Sequence, residues 1–333
     1  MSRLHHLLES EPESMLKEDL ARFTLFPIQH PDLWALFKKH ERSIWHAEEI
    51  DYAADIPDWI QLSAEERFFI ENILAFFSSA DGIVMENLMT NFFKEVQIPE
   101  ARAFYSVQGF IEQVHSETYS LLIDNYCRER KAECFSAIKN IPCITKKAEW
   151  AMKWMDPTRP FAERLVAFAV VEGVFFSGSF CAIFWLKSRG LMTKALGKSN
   201  EFIARDENLH CEFAVALYNK LVNKLSQDTI HEIFRSAYDI EQEFITESLP
   251  CKLIGMNSKL MSRYIKYVCN FWISKLITNE NKHCKTLGYV KNPFSFMDSI
   301  GIESKNNFFE GRTTEYARAK KVSFNDISDI EDF

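Results

Sequence analysis

The stretch "VVEGVFFSGSF", residues 170–180, decides how this chain is read. It sits in a run from Leu165 to Leu186 whose only charged side chain is Glu172. A bare carboxylate in such surroundings costs several kcal/mol even after relaxation, so the sequence must compensate it elsewhere. The run of 22 residues is long enough to span a bilayer and is flanked by Arg164 and Lys187. The remainder of the chain favours a buried central helix instead. We read no second run of this kind, and the neighbouring segments are amphipathic helices that need a partner to cover them. No membrane association is expected.

Outward from that run, apolar residues recur at i, i+3, i+4 and i+7 from about 60 to 280, and no alternating strand pattern competes with them. The class is all-α. A capping box, Ser63-x-x-Glu66, opens a helix that can run to about Lys94. Pro99 occupies the first turn of another that reaches about Tyr126. The central helix follows Pro160 and stops before Gly190, a fourth follows Ser199, and two more are read at about 227–248 and 257–278. Helices this long in an all-α chain predict a bundle.

Composition bounds the function. With 47% apolar residues, 29 Phe and few Gly or Pro, the 333-residue chain can bury a large core. A net charge of -8 without a clustered Lys/Arg stripe argues against a nucleic-acid surface. Eight cysteines without a CxxC pattern argue against both a disulfide framework and a thiolate zinc site, and a reducing cytoplasmic compartment fits. The Glu-rich N-terminus has no apolar targeting core. We divide the chain into an arm at 1–20, a helical domain at 21–290 and a polar, flexible tail at 291–333. The tail ends in an acidic run punctuated by Phe324, Ile327, Ile330 and Phe333, which reads as a docking peptide.

Two helices carry Glu-x-x-His: Glu112 with His115, and Glu207 with His210. Residues three apart share a helix face, so each pair can point at one metal. Either motif alone is common on solvated faces. Two further acids lie on apolar stripes, Asp81 in line with Leu74, Phe77, Val84 and Leu88, and Glu172 in line with Leu165, Phe168, Phe176 and Ser179. Four helices with the same oddity make coincidence a poor explanation, because unpaired Asp and Glu are rarely buried. The four carboxylates also match the charge of two divalent cations bound with neutral imidazoles. Such a donor set suits iron or manganese better than structural zinc, and it is the pattern of di-metal carboxylate bundles. Tyr119 follows His115 by one turn on the same face, where a phenol can be oxidised by oxygen-activating metals. Phe176 and Ile203 stand one turn from ligands and Phe180 two, and they would keep water from it, although ordinary core packing uses the same residues.

The motifs "SIWHAEEIDYAADIPDW", "LAFFSSADGIVMENL", "IEQVHSETYSLLID", "VEGVFFSGSFCAIFWLKSRGL", "RDENLHCEFA" and "NPFSFMDSI" together resemble the small, radical-generating subunit of class I ribonucleotide reductase, eukaryotic and viral branch. The resemblance covers nearly the whole chain. It implies a ferritin-like bundle with two iron ions per chain held by Asp81, Glu112, His115, Glu172, Glu207 and His210, and a tyrosyl radical on Tyr119 formed with dioxygen. It also implies that Trp45 and Asp206 conduct electrons toward His115 and that Tyr316 relays the radical. A homodimer is implied as well, docking to the large subunit through a tail that includes Ile327, Ile330, Asp332 and Phe333. The competing readings are a ferritin-like ferroxidase, which does not require Tyr119, Trp45 or a docking tail, and a non-catalytic helical interaction protein, which has no reason to bury four acids together.

Overall fold

The computed structural model describes residues 13–277 and 286–297, apart from the side chains at 21, 22 and 248. The chain divides into two units, Met1–Ile302 and Glu303–Phe333. The expectations for Tyr316, Ile327, Ile330, Asp332 and Phe333 therefore lie outside the described residues. No strand occurs among the described residues.

The principal helices are α1 (Pro31–Glu41), α2 (Ala64–Asn87), α3 (Pro99–Tyr126), α4 (Pro142–Met155), α5 (Phe161–Val170), α6 (Ser177–Ser188), α7 (Leu196–Asn219), α8 (Gln227–Glu243) and α9 (Ser258–Leu276). Long helices bury apolar stripes against one another because their own hydrogen bonds contribute little net stability without tertiary packing. α3 lies between α1 and α2, while α7 packs on α5, α6, α1 and α3. These contacts bring α2, α3, α7 and the joined α5 and α6 around one core. The predicted capping box is complete: Glu66 N–H donates to Ser63 Oγ (3.1 Å) and Ser63 N–H donates to Glu66 Oε2 (3.0 Å).

Three features depart from the sequence reading. First, the helix expected after Ser199 begins at Leu196 and ends at Asn219. Its start is set from afar, because buried Asp55 accepts from the N–H groups of Lys194, Ala195 and Leu196 at 2.8–2.9 Å. A carboxylate there satisfies orphan donors and meets the positive end of the helix dipole. Second, π turns interrupt the long helices at Leu88–Phe92, Val171–Phe175 and Phe244–Ser248. Third, a second segment, Ala64–Glu95, is also long and apolar enough to cross a membrane by length and composition. The expectation of a single such run was therefore wrong. For Phe161–Ser188, 94% of the apolar window is buried inside the fold, as a core helix requires. In the expected N-terminal arm, Met15 is buried and its carbonyl accepts from Gln97 N–H at 2.8 Å.

Candidate metal centre

The π turn at Val171–Phe175 carries Glu172. Such a turn adds a residue to the helical ladder and is common at functional sites. Carbonyls beside it are satisfied from other helices: Lys147 Nζ donates to Phe175 O (2.7 Å), and Cys211 Sγ donates to Ala169 O (3.4 Å). Lys147 also pairs with Glu241 at 2.6 Å, both side chains fully buried. Gly173 is required by close approach: a Cβ there would stand 2.7 Å from Trp272 Nε1 and 2.9 Å from Cys211 Sγ.

Glu172 faces α3 and α7. Oxygens of Glu112, Glu172 and Glu207 and a nitrogen of His210 lie within 4.8 Å of one another, all buried. His115 joins them, with Nδ1 3.0 Å from Glu207 Oε1 and 3.7 Å from Glu112 Oε2. His210 Nδ1 lies 3.1 Å from Glu112 Oε1, 3.2 Å from Glu207 Oε2 and 3.4 Å from Glu172 Oε2. Glu112 and Glu207 thus each present one oxygen to each histidine. Asp81 is buried beside the cluster, and neither of its oxygens has a hydrogen-bond partner. Both oxygens of Glu112, Glu172 Oε2, Glu207 Oε1 and His115 Nδ1 are likewise buried without one. Unsatisfied polar atoms at this density are foreign to an ordinary core, and their carboxylate and imidazole donors fit a divalent metal site.

The electrostatics agree. Burial and repulsion by Glu112 hold the Asp81 carboxyl well above the usual range. Burial pushes Glu172 up to about 8 despite the attraction of His210. Glu112 resists the same burial through the nearby imidazoles of His115 and His210 and falls to about 2. Burial would lower both imidazoles, yet the surrounding carboxylates hold His115 and His210 well above their ordinary value.

Tyr119 is fully buried, and its ring stacks on Phe77 at 4.6 Å with planes 7° apart. Phe180 and Phe176 contact Phe77 at 5.0 and 5.5 Å, and Ile203 is buried on α7. The ring lying directly on Tyr119 is therefore that of Phe77, which the sequence reading had placed only on a core stripe. The Tyr119 hydroxyl donates to Asn200 Oδ1 at 3.0 Å. Asn200 was missed, although its spacing from Ile203, Glu207 and His210 on one helix face was visible. Burial and the nearby Asp81 charge push the Tyr119 phenol well up.

Trp45 Nε1–H donates to Asp206 Oδ2 at 2.8 Å, and the same oxygen stands 3.3 Å from His115 Nε2. Burial would raise the Asp206 carboxyl, but Arg205 and His115 hold it below the usual range. Two more contacts had no sequence signal: Gln108 Nε2 donates to Glu172 Oε1 (2.9 Å), and His40 Nε2 lies 3.0 Å from His210 Nε2.

A family model described as ribonucleotide reductase, small chain, matches residues 22–281. The chain is 54% identical to a ribonucleoside-diphosphate reductase small subunit of Dictyostelium discoideum, covering 92% of this chain and 89% of that one. It is 50% identical to the human ribonucleoside-diphosphate reductase subunit M2, covering 94% of this chain and 79% of that one. Among solved structures, a ribonucleotide reductase homodimer from Saccharomyces cerevisiae superposes with a TM-score of 0.76 at 34% identity, covering 86% of this chain and 90% of that one.

Proposed function

The chain belongs to the ribonucleotide reductase small-chain family, and from that premise we propose that it holds two iron ions and stores a tyrosyl radical on Tyr119. The observation that carries this reading is the set of buried, unpartnered donor atoms on Asp81, Glu112, His115, Glu172 and Glu207 beside a sealed phenol. Asp81, Glu112, His115, Glu172, Glu207 and His210 would hold the metal ions, their carboxylate oxygens and imidazole nitrogens supplying the ligands. When bound, iron supplies one-electron oxidising power drawn from dioxygen.

The protein's own residues do the rest. Tyr119 would give up an electron to the oxidant and its phenolic proton to the neighbouring carboxylates, of which Asp81 acts on it most strongly, and Asn200 Oδ1 orients the hydroxyl beforehand. Phe77, Phe176, Phe180 and Ile203 keep water and reductants from the ring. Asp206 fixes the outer nitrogen of His115 and joins it to Trp45, a continuous hydrogen-bonded route for an electron. In this reading Tyr316 continues the route to the large subunit, where ribonucleotides are reduced, and Ile327, Ile330, Asp332 and Phe333 dock the tail there. We also infer a cytoplasmic homodimer. The related yeast homodimer supports the dimer, and the seven free cysteines among the described residues suit a reducing compartment. A ferroxidase would use the same ligands but gives no role to the link from Trp45 through Asp206 to His115.

The test is electron paramagnetic resonance after ferrous iron and dioxygen are added to the metal-free chain. A tyrosyl signal is expected in the wild type and absent in Tyr119→Phe, with metal stoichiometry unchanged. A signal that survives the substitution places the radical elsewhere.

A further inference from the structure

His40 lies on α1, far in sequence from each of the six proposed ligands, yet it is fully buried and its Nε2 stands 3.0 Å from Nε2 of His210. Two imidazole nitrogens at that distance bond only if one bears hydrogen and the other offers a lone pair. The direction follows from the far side of His210. Its Nδ1 is turned into the carboxylates, 3.1 Å from Glu112 Oε1 and 3.2 Å from Glu207 Oε2. Nδ1 is then the nitrogen available to a metal, and Nε2 keeps the hydrogen. His40 must therefore accept through Nε2 and carry its own hydrogen on Nδ1, which faces Ser43 Oγ at 3.5 Å.

The ring is held for that task. Phe104 lies 5.2 Å from His40, meets His210 edge-on at 6.3 Å and is itself stacked on Phe213 at 3.8 Å with planes 2° apart. Ser43 Oγ–H donates back to His40 O at 2.8 Å, closing the end of α1 around the imidazole.

We propose that His40 is a positioning residue of the metal centre, a neutral acceptor that fixes the tautomer and ring plane in which His210 meets its metal. The proposal rests on the two-metal reading above. It adds an asymmetry to it. The outer nitrogen of His115 faces a carboxylate, Asp206, whereas that of His210 faces an imidazole. An anionic acceptor makes its imidazole the stronger donor, and such outer partners set metal affinity. The two positions therefore bind metal unequally, and the His210 position depends on His40.

The experiment is an anaerobic ferrous iron titration of the full chain, wild type against His40→Leu and His40→Gln, with Mössbauer spectra of iron-57-loaded samples. Wild type should take up two ions per chain and show two quadrupole doublets of equal area. In His40→Leu one of the two sites should lose about 10–100-fold in affinity, with one doublet shifted and the other unmoved. His40→Gln, whose side-chain carbonyl can accept the same bond, should recover most of the loss. Wild-type affinity at both sites in His40→Leu, or a Gln variant as weak as Leu, overturns the proposal. Should His40→Leu fail to fold, a single doublet in the wild type overturns it as well. A wild-type chain that binds no iron overturns the two-metal reading first and this inference with it.

Discussion

Asp55→Ala tests whether the helix that carries Glu207 and His210 is set by a remote carboxylate. Asp55 is fully buried and accepts three backbone N–H bonds at the start of α7, from Lys194 at 2.9 Å, Ala195 at 2.8 Å and Leu196 at 2.9 Å. Hydrogen bonds to a charged group contribute about 1.5–3 kcal/mol each, and three that share one carboxylate add less than their sum. A loss of about 3–5 kcal/mol follows for Asp55→Ala, because the Ala195 and Leu196 donors are buried and no water replaces the acceptor. For a chain of this size each kcal/mol moves the midpoint by about 2 °C, so unfolding followed by circular dichroism should shift down by about 6–10 °C. Asp55→Asn keeps one acceptor oxygen and should lose roughly half as much. Loading with iron should raise both midpoints, since metal binds only the folded state and α7 carries Glu207 and His210, and should widen the gap if the loosened α7 binds metal more weakly. A shift below about 2 °C for Asp55→Ala would refute the capping role, given the per-kcal/mol scale above.

Lys147→Met should destabilise by about 3–5 kcal/mol because it strands the buried Glu241 carboxylate, whereas Lys147→Met with Glu241→Leu should recover most of that loss; urea unfolding of the two variants checks it. Equal stabilities for the single and double variants would contradict a paired charge. Metal affinity should climb with pH through neutrality: Glu172 is pushed up to about 8, so below that pH protons compete with the metal for its oxygens, and above it Glu172 no longer adds to the competition. A chelator-competition titration at about pH 6, 7 and 8 measures this, and an affinity flat across that range would contradict it.

What the sequence made legible was local. Glu112 with His115 and Glu207 with His210 could be seen because three-residue spacing puts both side chains on one face whatever packs against it. The capping box at Ser63 and the Pro99 start were legible for the same reason, since each is written in neighbouring residues. What stayed hidden depends on distant segments. The start of α7 is decided by Asp55, some 140 positions away, so local reading placed it at Ser199 and missed the first turn. The π turn under Glu172 has no local signal either. Its bordering carbonyls are satisfied by Lys147 and Cys211, from two other helices. His40 is a lone histidine on an amphipathic helix, and nothing short of the packing of α1 on α7 gives it a partner.

The apolar run around Glu172 and the charge inside it explain each other. Four carboxylates held this close repel, and burial strengthens the repulsion by removing the water that would screen it. In solvent the cluster would be mild and would bind cations weakly. Buried as it is, the cluster raises His115 and His210 above their ordinary value and lifts Asp81 and Glu172. Each displaced proton is a measure of how strongly the site favours positive charge. In the proposed reading, the same wall that makes Glu172 costly without metal would shield Tyr119, which is fully buried and stacked on Phe77. A polar residue placed in the run to relieve Glu172 would therefore weaken the demand for metal and open the phenol to water together.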